Sequence, residues 1–299
     1  MILPTEQPAH VPVMLDAVLR LLRPSPGEIF LDCTVGSAGH ASAILEKIGP
    51  LGLLIGLDCD GEVLPLAAER LRAIGRNFKL YHANFADVQT VAEQAGVTRF
   101  DGILADTGLS SFALDAPERG FSLMRPGPLD GRMDRSKPGT IKDMISKLDE
   151  HELADIIFRY GEERYSRRIA RAIVRQRHQI MTTTQLAELV RRTVPAGRHR
   201  IHPATRTFQS LRLAITREVE ALEKLLVQAP LHLKPGGRVA VITFESLTDR
   251  LVKNAFRSGQ RAGLYAEITR KPLTPSADEI ERNPRSRSGK LRVAVRSAA

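Results

Sequence analysis

The stretch Ile29-Phe30-Leu31-Asp32-Cys33-Thr34-Val35-Gly36-Ser37-Ala38-Gly39-His40, running on into Ala41 to Ile48, decides how the chain is read. A short apolar run ending in an acid, then small residues, then a helical pattern predicts a strand, a tight turn and a helix. Small side chains let a backbone approach a ligand closely, and the start of the following helix offers free N–H donors. The same grammar recurs outward. Leu53 to Leu57 ends at Asp58 and leads into a helix over Glu62–Ile74 that tolerates Pro65. Lys79–His82 and Phe100–Ala105 are two further strands, the second ending at Asp106. Apolar strands alternating with helices predict an α/β fold around a parallel sheet covered on both faces.

Beyond Asp106 the pattern changes. From Ser111 to Gly139 the chain is rich in Pro, Gly and charge, which predicts a long loop. From Thr140 to Arg212 helical periodicity dominates. Arg164, Arg168, Arg171 and Arg175 fall at i, i+4, i+7 and i+11, one face of a helix, with Ile169, Ala172 and Ile173 opposite. Thr216 to Val227 predicts another helix. Pro235-Gly236-Gly237 then leads into a strand over Arg238–Phe244, and a last strand, Leu291–Val295, is placed to pair with Ala266–Thr269. The simplest account is a helical domain, 113–212, inserted in an α/β domain made of 1–112 and 213–299.

Charge sharpens that division. The chain has 44 Lys and Arg against 34 Asp and Glu, a net of +10. Between Arg159 and Arg212 stand 13 arginines and three acids, so this segment alone carries the whole imbalance. A localised basic surface is the footprint expected for a phosphate backbone, although a solvated helical face with Glu–Arg pairs has the same composition. No apolar run reaches the roughly 20 residues of a membrane span. The N-terminal stretch has no basic residue before Arg20, which fits neither a signal nor a transit peptide. Cys33 and Cys59 make neither a disulfide framework nor a metal quartet, so no metal is expected. The expectation is a soluble, cytoplasmic protein.

The strand ends carry the candidate chemistry. Asp58 follows Gly36 by 22 residues and is placed to accept hydrogens from both ribose hydroxyls of an adenosine. A glycine turn plus a strand-end acid also describes nicotinamide and flavin sites, and Gly36-Ser37-Ala38-Gly39 lacks the full dinucleotide spacing. Phe85 is placed to stack on adenine, and Asp106 to sit beside the switch point of the sheet. Singly each is equally a core aromatic or a helix cap, as Asp32 is for its own turn. Together, at carboxyl ends of consecutive strands, they predict a nucleotide-type crevice.

At this point the sequence resembles a known family. His10-Val11-Pro12-Val13-Met14-Leu15, Asp32 to His40, Asp106-Thr107-Gly108-Leu109-Ser110-Ser111, Leu114-Asp115 and Glu118 to Ser122 are similar to blocks of the MraW-type ribosomal RNA small-subunit methyltransferases. So are Pro128 to Asp134, Tyr160 to Arg164, Phe208 to Arg212, Asp249 to Lys253 and Asn283 to Ser288, all in family order. The resemblance implies a class I, Rossmann-like methyltransferase core with an inserted helical domain. It also implies S-adenosylmethionine as cofactor and N4 of a cytidine in the decoding region of small-subunit (16S) rRNA as acceptor. The implied partner is that rRNA or the assembling subunit, with no DNA and no membrane.

Carried over by position, the cofactor contacts are Ala38, Gly39, His40, Asp58, Phe85 and Asp106, beside Gly36 of the turn. Asp106, Ser110 and Ser111 are the candidate acceptors for the reacting amine, with Phe112 to stack on a flipped base; Asp106 serves equally as a partner of the cofactor's amino acid group. Asp130 with Arg132 is expected at the same cleft or in a loop ion pair. Asp249 with Arg250 is expected to line the pocket or to cap a helix. Arg164, Arg168, Arg171 and Arg175, and in the tail Arg285 and Arg287, are the expected RNA contacts.

The sequence departs from the family at Ser37 and Ala38, where glycines are usual, and at Ala113, where Gln is usual. Glu245 replaces His, Thr248 replaces Glu, Gly131 replaces Met and Thr216 replaces Asn. These mark a divergent branch, for which a retargeted methyltransferase and a non-catalytic assembly factor are the rival readings.

Overall fold

The structure is a computed structural model that describes residues 11–109, 111–195 and 201–298. In chain order it begins α1 (Leu15–Leu22), β1 (Ile29–Asp32), α2 (Gly39–Ile48), β2 (Leu53–Asp58), α3 (Leu64–Arg72), β3 (Phe78–His82), α4 (Val88–Ala95) and β4 (Phe100–Asp106). Helices follow: α5 (Ser111–Asp115), α6 (Ile141–Lys147), α7 (Glu150–Gly161), α8 (Ser166–Gln176), α9 (Thr183–Thr193), α10 (Thr205–Thr216) and α11 (Glu218–His232). The chain ends β5 (Leu233–Thr243), α12 (Ser246–Arg261), β6 (Tyr265–Ile268), α13 (Ala277–Arg282) and β7 (Lys290–Arg296).

By compactness the chain falls into two units, 1–108 with 221–299 and 109–220. The first holds one seven-stranded sheet of order β3-β2-β1-β4-β5-β7-β6. Strands β3, β2, β1, β4 and β5 run parallel, while β7 is antiparallel to both its neighbours. Alternation along each strand feeds two cores, since successive side chains of a strand point to opposite faces. Leu31 and Ile103 join Phe85, Val241 and Phe256 on one face, while Phe30 and Leu104 join Val18, Ile44 and Ile242 on the other. Gly102 has no room for a side chain, because a β-carbon there would lie 2.0 Å from the Phe30 ring. Strand order reverses between β1 and β4, and a crevice for a ligand is expected outside the carboxyl ends of strands at such a point.

The second unit is a helical bundle with its own core, including Leu129, Ile145, Leu153, Ile157, Ile169, Leu186 and Phe208. Thr140 with Asp143, Asp149 with Glu152, and Thr182 with Gln185 form capping boxes that start α6, α7 and α9.

Several sequence expectations need adjusting. The 111–139 segment is not wholly loop, because it contains α5 and a 3-10 turn at Pro117–Arg119. Its buried Arg119 donates to the carbonyls of Arg132 and Met133 and so orders the loop. Helix α8 starts at Ser166, so Arg164 precedes it, and Ala170 rather than Ala172 completes its buried face. Thr216 ends α10, and Arg217, at φ 51°, breaks the chain before α11, which continues through Pro230. No described helix is long and apolar enough to cross a membrane.

Candidate cofactor and active site

The turn after β1 is built by its own short side chains. Asp32 Oδ1 accepts the Thr34 N–H at 3.1 Å, and the Thr34 hydroxyl accepts the Asp106 N–H at 2.7 Å, tying the turn to the end of β4. Gly36, at φ 48°, and Ala38, at φ 63°, take the left-handed conformation that bends the chain into α2. Gly39 lies against Pro12, whose Cγ would be 2.6 Å from any added β-carbon.

At the end of β2, Asp58 Oδ2 accepts the Gly36 N–H at 2.8 Å and Oδ1 accepts the Asp60 N–H at 2.9 Å. Each oxygen of a carboxylate has a second lone pair, so Asp58 is oriented by the turn and still has acceptor capacity. His40, on the first turn of α2, donates through Nε2 to the Val13 carbonyl at 2.9 Å, since a carbonyl can only accept. Its Nδ1 faces Asp106 Oδ2 at 3.8 Å. The other oxygen, Asp106 Oδ1, is buried with no hydrogen-bond partner among the described residues.

Three acids therefore converge in a dry place. Burial pushes the Asp32 carboxyl up to about 7 against the pull of the Thr34 N–H, and Asp58 to about 6 against the N–H groups of Asp60 and Gly36. Burial, with the negative charge of Asp32 added, pushes Asp106 to about 8. Such a cluster resists ionisation until a cation or hydrogen-bond donors arrive. A ligand with vicinal hydroxyls and positive charge fits it, and S-adenosylmethionine has both, in its ribose and in its sulfonium and ammonium groups. Gly36, Ala38, Gly39, His40, Asp58 and Asp106 are thus brought together around the ends of β1, β2 and β4. Phe85 stands at the end of β3, 7% exposed and packed into the core of that face.

The remaining candidates are described by their own surroundings. Ser110 lies outside the described residues, as does the side chain of Ser111. Asp130 belongs to the second unit and is gripped by the Arg132 guanidinium, Nε to Oδ1 at 2.8 Å and Nη2 to Oδ2 at 2.9 Å. Burial raises the Asp130 carboxyl, but those hydrogen bonds outweigh it and hold it low. This is the loop ion pair of the two alternatives.

Asp249, expected to line the pocket or cap its helix, instead gives both oxygens to Arg292 of β7, at 2.7 and 3.2 Å. Arg168, Arg171 and Arg175 are exposed on α8, whereas the Arg164 guanidinium sits over the Tyr165 ring, 4.6 Å from its centroid. Arg285 and Arg287 are exposed in a 3-10 turn, Pro284–Ser288.

The sequence reading missed Thr34 and Asp60 and gave Asp32 only a local capping role. A signal was present. Asp32, Asp58 and Asp60 each accept the N–H two residues on, the Asx-turn habit of a short acid at a strand end.

Five parallel strands continued by a reversed β7, with acids and a bent glycine turn at the point where strand order changes, are the framework of class I S-adenosylmethionine-dependent methyltransferases. The chain is an enzyme of that class. It belongs to the MraW methylase family, whose model matches residues 7–297.

Among curated relatives, a "Ribosomal RNA small subunit methyltransferase H" of Syntrophotalea carbinolica is 48% identical, over 95% of this chain and 96% of its own. One of the same name from a Synechococcus strain is 50% identical, over 97% of this chain and 92% of its own. Among solved structures, Aeropyrum pernix fibrillarin, solved with natively bound S-adenosyl-L-methionine, overlaps 94% of this chain and 74% of its own. Its identity is 14% and its TM-score 0.42. Overlap that loose says nothing about the reaction; the sequence family does.

Proposed function

We propose that this enzyme methylates N4 of a cytidine in the decoding region of small-subunit rRNA, acting in the cytoplasm on the assembling subunit. The observation that carries this reading is the match to rRNA methyltransferases along nearly their whole length. The unpartnered Oδ1 of Asp106 agrees with it, as a buried acceptor at the reaction crevice.

The chemistry asks little of a base. The cofactor supplies an electrophilic methyl on a positively charged sulfur. An exocyclic amine is a weak nucleophile because its lone pair is delocalised into the ring, so the protein must orient it in line with that methyl. Asp106 would accept an N–H of the amine, favouring pyramidal nitrogen, and the methylated amine then loses a proton. The Thr34 hydroxyl fixes the Asp106 backbone, and His40 Nδ1 stands 3.8 Å from Asp106 Oδ2. Asp58 and the Gly36–Gly39 turn would hold the nucleoside part, with Phe85 nearby at the β3 end. Ser110, with Ser111 and Phe112 at the start of α5, would face the base. The arginines Arg164, Arg168, Arg171 and Arg175 of the second unit, with Arg285 and Arg287, would receive the RNA backbone.

Incubation with S-adenosylmethionine and small-subunit particles from cells lacking the protein, followed by nucleoside mass spectrometry, tests the proposal. N4-methylcytidine at one position is expected. Methylation of a different base or atom would favour the retargeted enzyme. Cofactor and RNA binding with no transfer to any ribosomal substrate would favour the assembly factor.

A further inference from the structure

Helices α8 and α9 flank an open, shallow depression of about 390 Å³ lined by Arg168, Arg171, Arg175, Gln176, Arg192 and Thr193. No carboxylate lines it. Three of its arginines come from α8 and the fourth from α9, so the basic face read along one helix is half of a two-sided groove. From Arg168 to Arg175 the helix rises about 10 Å, the axial length of roughly three nucleotides of one strand.

The arginines differ in what they already hold. Arg168 and Arg175 meet no carboxylate among the described residues. Arg171 Nε is 3.0 Å from Glu150 of α7, and Arg192 shares Glu188 with Arg191, whose Nε is 2.6 Å from it. Those two guanidiniums pull the Glu188 carboxyl down to about 2. All these side chains are at least one-third exposed, and ion pairs so exposed are weak and easily exchanged for another anion.

We propose that this groove docks an RNA phosphodiester backbone, Arg168 and Arg175 making the first contacts and Glu150 and Glu188 holding Arg171 and Arg192 in reserve until phosphates displace them. The choice of RNA among polyanions rests on the rRNA substrate proposed above. Arg164 lies outside the groove and contributes less.

Anisotropy of a fluorescein-labelled 20-nucleotide single-stranded RNA, titrated with the full-length protein between roughly 50 and 200 mM salt, tests this. A single-strand phosphate contact is worth about 0.7 in the slope of log affinity against log salt. Changing Arg168 and Arg175 together to Gln should therefore flatten the slope by about 1.4 and cost on the order of tenfold in affinity at the lower salt. Glu150→Gln with Glu188→Gln should do the reverse, tightening binding and steepening the slope. Calorimetric affinity for S-adenosylmethionine stays unchanged in both variants.

An intact salt slope in the double-arginine variant overturns the proposal. So does loss of poly-glutamate binding with RNA binding intact, which would make the groove a site for acidic protein. If the wild type binds RNA through these arginines yet methylates nothing, the groove stands and the proposed reaction falls. If it methylates rRNA while the groove variants bind as well as wild type, only the groove falls.

Discussion

Asp58 gathers the most consequence of any single side chain. Its oxygens are aimed by two backbone N–H groups, which would set the proposed acceptor in position before a nucleoside arrives. Removing a charged acceptor costs about 1.5–3 kcal/mol per hydrogen bond. Asp58→Ala should weaken S-adenosylmethionine binding by at least tenfold, measured by calorimetry on protein shown to be folded; equal affinity would remove the assignment. Ala38 illustrates a departure the fold absorbs. An alanine in the left-handed region costs about 1–2 kcal/mol relative to glycine, and burying its methyl group returns about 0.8. The Glu245 and Thr248 departures are coupled in space, for the Thr248 hydroxyl lies 3.2 Å from the Glu245 carbonyl and 3.5 Å from its Oε2. Thr248 is fully buried, so Thr248→Glu alone would set a second carboxylate beside the first in a dry site. Beside an imidazole it would have a partner. We therefore expect Glu245→His to lower methyl transfer and Thr248→Glu, added to it, to restore part. Strictly additive effects in the double-mutant cycle would show the two positions to be independent.

At the scale of elements, Asp249 shows where a motif and its tertiary setting part. It opens α12 and is bound bidentately by Arg292, 4% exposed on β7, so the pair fastens the helix to the antiparallel end of the sheet. Breaking a buried ion pair from one side leaves an uncompensated charge, at a cost of about 3–5 kcal/mol. Asp249→Ala should lower the melting temperature sharply yet leave cofactor affinity intact at temperatures where the variant is folded. Lost affinity without lost stability would return Asp249 to the pocket. No sequence spacing foretold this pair, because its partner is 43 residues away and only the pairing of β5 with β7 brings it near. The parallel strands and the Asp58 and Asp106 positions were legible, since buried strands read as apolar runs and their last residue is set by where the run stops. Arg164 was misplaced because 3.6-residue periodicity does not reveal where a helix begins; Tyr165, under the Arg164 guanidinium, precedes the first turn. The break at Arg217 was illegible for a related reason. A left-handed arginine leaves no mark on the pattern of apolar residues.

Across the whole molecule, the two units differ in charge as well as fold. Residues 109–220 carry 21 Lys and Arg against 14 Asp and Glu, a net of +7 out of +10, while the strand-end crevice of the other unit collects acids. That crevice should govern how global stability follows pH. The folded values of about 7, 6 and 8 for Asp32, Asp58 and Asp106 lie above the ordinary value of 3.8. Below 3.8 both folded and unfolded chains hold these protons, so the contribution is fully present. Between 3.8 and the raised values only the folded chain holds them, and each group costs the folded state up to about 1.4 kcal/mol per pH unit. Above about 8 all are ionised in both states and the loss stops. Asp130, held low by Arg132, acts oppositely, but its contribution is complete by pH 5. The protein without cofactor should therefore melt at a progressively lower temperature from about pH 5 to pH 8. In the proposed site S-adenosylmethionine would bring positive charge and hydroxyl donors to the same acids and favour their ionised form. Its affinity should rise with pH over that interval, with protons released on binding, seen as a calorimetric heat that depends on the ionisation enthalpy of the buffer. Asp106→Asn removes the highest of the three values, so it should flatten the upper part of the melting profile and reduce proton release. A melting temperature that climbs from pH 5 to pH 8, or binding that releases no proton, would show that these carboxylates are already ionised in the unliganded fold.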